Sequence, residues 1–343
     1  CRRPTEVWTS APAPGGGARP PSGGRRRALL VGINYRGTSV QLRGCVNDVR
    51  NIQRLLQETY GWPASCIRTL TDEDPDPSRA PTRRNVEAML RWLCHGDDGA
   101  RPGDVLLFHF SGHGAQQVDP RGLEEDGMNE TILPADFKTA GMIVDDTITE
   151  IMVQPLPEFV KLTAIMDCCH SGTGLDLPFS HTSGGWKVEP NPWFHASDVQ
   201  LFSGCEDHGT SADVSSRYGA PAGAMTTALC DALRRDPNPS YPQLMERLTQ
   251  TMREKRFAQR PQLTSSQQFR FDRPFTLSDA VPNSNGTLGR VVQQRFKARP
   301  RPFAAGDPLG SLMTELGLSP TTAAIAAAAA GAVGGWIMGK LAG

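Results

Sequence analysis

The sequence lacks several patterns that would assign it to a functional class. Its 36 Lys and Arg residues are balanced by 36 Asp and Glu residues. No overall charge therefore draws it to an anionic surface, and we expect no nucleic-acid partner. Its eight cysteines include no CxxC pair and no Cys/His pair at zinc-finger spacing, so nothing supports a structural zinc module.

The cysteines also indicate a cellular compartment. Cys168 and Cys169 are adjacent and make poor disulfide partners, because neighbouring Cα atoms are only about 3.8 Å apart. The residues given contain no signal-peptide pattern. We therefore expect a reducing, cytoplasmic location, in which a cysteine thiol stays available for chemistry.

Composition divides the chain into globular and non-globular parts. The first residues are rich in Pro and Gly, and the segment after Leu177 concentrates the same residues again; both patterns are typical of exposed chain. We predict a flexible lead-in at 1–24, a globular domain at 25–278, a linker at 279–320 and an Ala/Gly-rich apolar tail at 321–343. Within the domain we predict a larger front segment at 25–178, a connector at 179–195 and a smaller rear segment at 196–278.

Short apolar runs alternate with helical periodicity along the domain. The runs predict strands at 28–33, 66–70, 105–110, 162–166 and 199–203, with a last strand at 269–275. Apolar residues at three-to-four spacing predict helices at 46–56, 82–93, 223–234 and 241–254. This alternation predicts an α/β fold with a central, mostly parallel sheet flanked by helices on both faces.

Two of the predicted strands end in small polar turns that carry reactive side chains. Phe110 is followed by Ser-Gly-His-Gly, which contains His113, and Met166 by Asp-Cys-Cys-His-Ser-Gly, which contains Cys169. Ligands of open α/β sheets bind beyond the carboxyl ends of strands, so both turns should face one crevice. A thiol needs a nearby base to activate it. Either side chain alone is equally consistent with a packing role, but the two turns together favour a cysteine nucleophile.

The spacing of the two turns leads to a family resemblance. His113 precedes Cys169 by 56 residues, close to the separation of about 50 residues in caspases. The turns resemble those of the metacaspases, the caspase-like peptidases of plants, fungi and protozoa, and most of all the type I metacaspases of the green lineage. The resemblance covers about residues 27–278. The further motifs that carry it are Gly32–Tyr35, Leu42–Asp48, Gly141–Asp146, Gly174–Pro178, Ser203–Asp207 and Thr210–Asp213.

The resemblance implies a caspase-like fold and a cysteine endopeptidase. In this reading Cys169 is the nucleophile, His113 is the general acid and base, and the backbone N–H groups of Gly114 and Cys169 form the oxyanion hole. The motifs show no third carboxylate, and a dyad suffices if the backbone orients the imidazole. Cys168 is either a packing thiol or a second nucleophile. His170 is expected to be structural.

The resemblance also implies cleavage after Arg or Lys in protein or peptide substrates. The positions that match the pocket are Asp48, Ser111 and Asp167. Two carboxylates in a narrow crevice would suit a guanidinium group through charge-assisted hydrogen bonds. Taken alone, Asp48 is equally consistent with a solvated acid at a helix start.

Calcium is the cofactor that the resemblance implies. The matching positions are Asp145, Asp146 and Asp176, with Asn129 where relatives carry Asp. Three carboxylates, an amide oxygen and waters are adequate ligands for Ca²⁺, although Asn in place of Asp should weaken the site. Asp145 and Asp146 are alternatively expected to cap the helix that follows them.

The apolar tail at 321–343 leaves two alternatives open. Its glycines recur at four-residue spacing from Gly331 to Gly343, which in an apolar segment suggests close helix packing in a membrane. Ala is only weakly apolar and Gly disfavours a helix in water, so a disordered or protein-docked tail is the other alternative.

The remaining expectations concern processing and biological role. The resemblance implies a monomeric zymogen that cleaves itself and acts in stress response, protein quality control or programmed cell death. Basic specificity makes Lys187 and Arg217 candidate processing sites. The alternative function is a noncatalytic adaptor or stress-response scaffold that keeps the fold and binds through its lead-in or tail.

Overall fold

The computed structural model of the chain describes residues 23–96, 98–124, 127–168, 174–189, 195–205, 222–257 and 259–278. Its strands are β1 (Arg26–Gly32), β2 (Ile67–Thr71), β3 (Val105–Ser111), β4 (Gly114–Val118), β5 (Met128–Ile132), β6 (Ile143–Val144), β7 (Lys161–Asp167), β8 (Phe179–Thr182), β9 (Gly185–Val188), β10 (Asp198–Cys205) and β11 (Arg260–Ser265). Its α-helices are α1 (Cys45–Arg54), α2 (Arg83–His95), α3 (Phe137–Ala140), α4 (Asp145–Met152), α5 (Ala224–Arg235) and α6 (Tyr241–Glu254). A π-helical turn continues α1 at Leu55–Thr59, and 3-10 turns lie at Ala64–Cys66 and Pro77–Arg79.

An eight-stranded sheet forms the centre of the domain, in the order β2-β1-β3-β7-β10-β11-β8-β9. The first five strands of this order run parallel, and the last three are added by antiparallel pairing. Parallel strands joined through helices require apolar cover on both faces. The predicted α/β class with a mostly parallel central sheet is confirmed.

Both faces of the sheet are covered by helices. On one face Leu29 and Phe108 belong to a fully buried cluster that includes side chains of α2 and α4. On the other face Leu30 and Leu107 pack in a second cluster with side chains of α1, α5 and α6. Successive strand residues point to opposite faces, so a strand covered on both sides needs the continuous apolar runs seen in the sequence. Each fully buried aliphatic side chain stabilises the fold by about 1.5–3 kcal/mol.

The starts of α2 and α6 follow local capping chemistry. The Thr82 hydroxyl accepts the N–H of Asn85 at 3.3 Å and begins α2, as the sequence predicts. Ser240 and Gln243 form a reciprocal capping box at the start of α6. The helices predicted at 82–93 and 241–254 are confirmed.

The last strand of the domain is β11, so the prediction of a strand at 269–275 is wrong. β11 pairs antiparallel with β10 from Gln200 to Cys205. Phe269 and Phe275 instead pack on Tyr241 of α6, with ring centroids 4.6 and 5.6 Å apart. The aromatic residues of this segment serve side-chain packing on a helix rather than strand pairing.

The segment 179–195, predicted as an exposed connector, contributes a β-hairpin to the sheet. β8 and β9 pair with each other, and β8 pairs with β11 through Phe179 and Ser180. Gly185 adopts a φ of 101° at the turn, a conformation that glycine reaches without strain. The Gly pair that favours a connector in the sequence is therefore the turn of a hairpin.

A second, three-stranded sheet of β4, β5 and β6 lies beside the main one and is antiparallel. β4 begins directly after His113, so this small sheet fixes one side of the predicted crevice. Residues 1–22 of the lead-in, the linker from 279 and the tail lie outside the described residues. Among the residues that the structure describes, no helix has the length and apolar character needed to cross a membrane.

Candidate active site

The carboxyl ends of β1, β3 and β7 meet at one edge of the main sheet. Gly32 of β1 is in register with Ser111 of β3, and Ser111 is in register with Asp167 of β7. The chain therefore leaves β3 and β7 at neighbouring points of one sheet edge, as the sequence predicts.

The His113 imidazole is held by a backbone carbonyl. Its Nε2 lies 2.7 Å from the carbonyl oxygen of Val40, and the side chain is only 5% exposed. A carbonyl only accepts, so Nε2 carries the proton in the neutral ring and the lone pair is on Nδ1. The orienting group here is the backbone, which is the arrangement that a dyad without a third carboxylate needs.

Tyr35 fixes the turn that carries His113. Its hydroxyl accepts the His113 backbone N–H at 3.0 Å and donates to the Leu133 carbonyl at 2.6 Å. Its ring also packs on the imidazole, with centroids 4.7 Å apart. A Cβ at Gly112 would lie 3.0 Å from the Tyr35 hydroxyl and 2.9 Å from the Phe110 ring, so the turn approaches this closely only because residue 112 is Gly.

The predicted nucleophile, Cys169, and its neighbour His170 lie outside the described residues. The preceding residue, Cys168, is described and is 1% exposed at the end of β7. Its side chain belongs to the apolar cluster on the α2 and α4 face of the sheet. This burial favours the packing role over the second nucleophile among the two alternatives for Cys168, because reactive thiols need access.

Gly114, the predicted oxyanion-hole residue in the described part of the chain, is the first residue of β4. β4 pairs with β5 in a register that sets Gly114 opposite Ile132. The His113 carbonyl accepts the N–H of Leu133 at 3.1 Å. The backbone on both sides of His113 is thus fixed by hydrogen bonds, which is what a preorganised N–H donor requires.

The predicted substrate-pocket residues converge in the structure. The Ser111 hydroxyl donates to Asp48 Oδ2 at 2.6 Å. Asp167 is the residue of β7 that pairs with Ser111 on the neighbouring strand β3. Asp48, Ser111 and Asp167 are 0%, 2% and 3% exposed. The alternative of a solvated acid at position 48 is therefore excluded. A buried carboxylate needs compensating partners, and the structure supplies them from an element that the sequence did not implicate.

The amino terminus of α5 donates backbone N–H groups to both pocket carboxylates. The N–H of Gly223 lies 2.9 and 3.0 Å from the two oxygens of Asp48. The N–H of Thr226 lies 2.8 Å from Asp167 Oδ2. These carboxylates take the place of a capping side chain, since Gly223 provides none. Helix N-termini attract negative charge through unpaired N–H groups.

The predicted calcium ligands come from three elements and meet in one place. Asp145 and Asp146 open α4, Asp176 follows β7 in the chain, and Asn129 lies on β5. One carboxylate oxygen from each Asp lies within 4.8 Å of those of the other two. Asn129 Nδ2 lies 3.4 Å from Asp146 Oδ2, so the amide joins the same group.

The oxygen atoms that these four residues offer are suitable ligands for calcium. Asn129 is 3% exposed, and its Oδ1 has no hydrogen-bond partner among the described residues. A buried amide oxygen without a donor is costly, and a cation would satisfy it. Carboxylate and amide oxygens are the hard ligands that Ca²⁺ takes in proteins.

The carboxylates of Asp145, Asp146 and Asp176 repel one another. Burial, followed by the charge of Asp176, raises the pKa of Asp145 well above its usual value. Burial, followed by Glu124 and Asp146, does the same to the pKa of Asp176. The pKa of Asp146 is also raised by burial, although the Arg121 guanidinium opposes that shift. Carboxylates under such repulsion gain from a bound cation.

The N-cap of α4 is Val144 and has no side-chain cap hydrogen bond, so the prediction that Asp145 and Asp146 cap this helix is wrong. Asp145 has a different structural role. Its Oδ1 accepts the Asp146 N–H and its Oδ2 accepts the Glu130 N–H, both at 2.8 Å. Each carboxylate oxygen has more than one lone pair, so these bonds leave acceptor capacity toward a cation. Asp145 and Cys168 line the same narrow gap, which places the acidic group beside the residue that precedes Cys169.

Sequence reasoning missed four residues of this region. Arg121 forms an ion pair with Asp146. It lies in the connection between β4 and β5, where no helix or strand pattern in the sequence indicates its position. Val40 acts through its carbonyl, which carries no side-chain signal. Gly223 and Thr226 act through backbone N–H groups at the start of a helix. Only the capping rule for helix starts could have indicated the last two.

The chain is similar in sequence to proteins of one known family. Residues 26–178 match the family model described as the metacaspase, peptidase C14 domain. The chain is similar to Metacaspase-1 of Kluyveromyces lactis, with 38% identity over 303 residues, 74% of this chain and 69% of that protein. It is 42% identical to Metacaspase-2 of Arabidopsis thaliana over 246 residues, 68% of this chain and 58% of that protein. The chain spans from about half to about two thirds of the length of such relatives.

A solved structure supports the fold. Protein GSU0716 from Geobacter sulfurreducens aligns with a TM-score of 0.53 at 22% identity, over 76% of this chain and 100% of that one. At this identity the likeness concerns the fold alone.

Proposed function

The chain belongs to the metacaspase family of cysteine peptidases, and on that premise we propose that it is a calcium-stimulated endopeptidase that cleaves after Arg or Lys. The observation that carries the basic specificity is the buried group of Asp48, Ser111 and Asp167 at the strand ends beside His113. Protein or peptide chains with Arg or Lys before the cut bond are the partners that this pocket chemistry favours.

In the proposed reaction the Cys169 thiol gives its proton to Nδ1 of His113. The thiolate then attacks the carbonyl carbon of the bond that follows the basic residue. The imidazolium passes its proton to the leaving amine, and an acyl-enzyme remains. Water, deprotonated by the same imidazole, hydrolyses the acyl-enzyme and restores the thiol. The Val40 carbonyl supports this cycle because it keeps the Nε2 proton fixed.

The developing oxyanion needs two donors, for which we propose the backbone N–H groups of Gly114 and Cys169. Gly114 suits this role because its pairing with Ile132 of β5 fixes the backbone there. Removing one such donor from acyl-transfer enzymes costs roughly 10²–10³ in turnover rate.

For calcium we propose Asp145, Asp146, Asp176 and Asn129 as ligands. The ion would supply positive charge to carboxylates that otherwise repel one another. These ligands come from the small sheet, from α4 and from the segment after β7, so a shared ion would connect the three. Asp176 follows Cys169 by seven residues, so this ligand would connect the ion to the part of the chain that carries the nucleophile.

Zymogen processing, monomeric state and cytoplasmic location remain part of the proposal. Lys187, one candidate processing site, lies in β9 and is paired with Ser180, so cleavage there would require the hairpin to open. The other candidate, Arg217, lies outside the described residues. Roles in stress response, protein quality control or programmed cell death, and membrane contact through 321–343, rest on the sequence alone.

The test compares the wild type with Cys169→Ala on matched peptides that end in Arg, Lys or Asp, with and without calcium. We expect hydrolysis of the Arg and Lys peptides only, stimulation by calcium, and no activity in the variant. Activity that survives Cys169→Ala would contradict the assignment of Cys169 as the nucleophile. Adding Cys168→Ala then tests whether the neighbouring thiol has taken over its role. Full activity in the presence of a chelator would contradict the proposal that calcium stimulates the enzyme. A folded wild type without peptidase activity would favour the adaptor alternative.

A further inference from the structure

The segment Ala222–Gly223, which leads into α5, lies directly on the carboxylates of the proposed basic pocket. Gly223 donates its N–H to both oxygens of Asp48, and Thr226 donates its N–H to Asp167. Asp48 comes from α1 and Asp167 from β7. One helix start therefore holds carboxylates from two different elements.

Position 223 is glycine for reasons of space and not of backbone conformation. Its φ of −71° and ψ of 154° are open to every residue type. A Cβ built there would lie 2.1 Å from Asp167 Oδ2 and 2.4 Å from its Cγ. Contacts this short do not occur, so any side chain at 223 would force the Asp167 carboxyl group, or the helix start, to move.

The segment has little room to retreat. A Cβ at Gly44, the residue before α1, would lie 2.9 Å from both the Cα and the N of Ala222. Backbone at 222 and 223 is thus packed between the start of α1 on one side and Asp167 on the other. Movement of the Asp167 carboxyl group is then the cheaper response to a side chain at 223.

We propose that Gly223 is a specificity-determining positioning residue, whose missing side chain lets Asp48 and Asp167 converge under the N-terminus of α5 to receive a basic side chain. The inference rests on the proposed function and names what sets the geometry of its pocket. The N–H groups of α5 balance the two buried charges before a substrate arrives. An arriving guanidinium or ammonium group then finds the carboxylates already in place.

The test has a binding arm and a kinetic arm. In the binding arm, the full chain with Cys169→Ala is titrated with p-aminobenzamidine, a fluorescent amidine that mimics a guanidinium group. We expect Gly223→Ala to weaken its binding about 10- to 100-fold, the loss expected for a charged hydrogen-bond pair. In the kinetic arm, with Cys169 intact, KM for Arg and Lys peptides should rise while kcat changes little, because the pocket binds ground state and transition state alike.

The matched control is Gly184→Ala in the hairpin turn, where a Cβ would meet only the Thr182 hydroxyl oxygen at 3.8 Å. It should leave both arms unchanged. The decisive comparison adds Gly223→Ala to Asp167→Ala. With the carboxylate gone, the methyl group has nothing to displace, and the second change should cost nothing in probe binding or in melting temperature.

Each outcome bears on a separate statement. Wild-type probe affinity in Gly223→Ala would overturn the inference, as would a full extra loss in the double variant. If Gly223→Ala alone does not fold, restored folding in the double variant supports the steric relation to Asp167, and continued failure rejects it. An active wild type without preference for basic peptides would instead contradict the proposed function.

Discussion

Single residues in this site act mainly by balancing the charge of other side chains. Arg121 is an example in the proposed calcium group, because its guanidinium forms an ion pair with Asp146. Its backbone N–H donates to Asp119 Oδ1 at 2.7 Å, and Asp119 Oδ2 accepts the Glu124 N–H at 3.0 Å. The connection between β4 and β5 therefore carries a cation into the acidic group.

We predict that Arg121→Gln binds calcium more tightly than the wild type. The Arg121 side chain is 42% exposed, so screening limits its competition with the ion to about 1 kcal/mol, or roughly fivefold in affinity. Isothermal titration with calcium in a Cys169→Ala background measures this without self-cleavage. Arg79→Gln, which removes a guanidinium paired with Asp74 elsewhere on the surface, is the matched control.

The prediction for Arg121 fails if its removal weakens calcium binding, since the guanidinium would then be an anchor of the loop rather than a competitor. Asp146→Asn in the same titration locates the site. It should lower affinity whatever Arg121 does, because it removes a charged ligand.

How far the sequence predicts this site depends on how each residue acts. His113, Asp48, Ser111 and Asp167 act through side chains in motifs, and the structure brings these four to one sheet edge. Val40 acts through a carbonyl whose position depends on the packing of a loop. No residue identity encodes such a contact, so sequence alone could not supply it.

At the scale of elements, the parallel strands of the main sheet were predictable and its antiparallel strands, β8, β9 and β11, were not. β1, β3 and β7 are continuous apolar runs because helices cover both of their faces. β8 and β9 are four residues each and carry polar side chains at the sheet margin. Their pairing is decided by contacts with β11 and by aromatic packing, which a local pattern does not show.

The hairpin of β8 and β9 covers the strand that would otherwise end the sheet. β11 pairs with β8 along this side, and Trp186 of β9 fixes the hairpin by donating its Nε1–H to the Phe269 carbonyl at 3.0 Å. The Trp186 ring also packs on Phe269 and His181, with centroids 4.9 and 5.1 Å away. β9 is short and carries the exposed Lys187, two features that discourage pairing between chains.

We predict that the wild type is a monomer and that Trp186→Ala self-associates. Removing this half-buried ring should destabilise the fold by roughly 2 kcal/mol, less than the 3–5 kcal/mol for a fully buried aromatic, and free the edge of β11. Light scattering across a concentration series would show the mass rising above 37.2 kDa in the variant only. Gly184→Ala, which spares both the aromatic contacts and the charge of Lys187, is the control. A Trp186→Ala protein that stays monomeric at every concentration would show that the hairpin does not protect the sheet.

At the scale of the whole molecule, one buried side chain links the stability of the fold to pH. His109 lies at the centre of β3 with 0% exposure. Its Nε2 lies 3.0 Å from the Thr226 hydroxyl, and its Nδ1 has no hydrogen-bond partner among the described residues. Burial lowers the pKa of His109 to about 3. The imidazole is therefore neutral in the fold at every pH near neutrality, and it joins β3 to the helix start that holds the pocket.

We predict that the contribution of His109 to the free energy of unfolding falls as pH drops below about 6.5, the ordinary histidine pKa. Below that pH the imidazole is protonated in the unfolded chain but stays neutral in the folded one. Each further pH unit therefore lowers the contribution of His109 to the free energy of unfolding by about 1.4 kcal/mol, until the pKa of the folded state is reached. The raised pKa values of Asp145, Asp146 and Asp176 act in the opposite direction, so the contribution of His109 is measured as the difference between the parent protein and a His109 variant. Urea unfolding of the Cys169→Ala protein in calcium-free buffer from pH 7 to pH 5 gives the slope. His109→Gln, whose amide can keep the bond to Thr226, should flatten that slope by about 1.4 kcal/mol per unit below pH 6. An equal slope in the parent protein and in His109→Gln would rule out His109 as the acid-sensitive group.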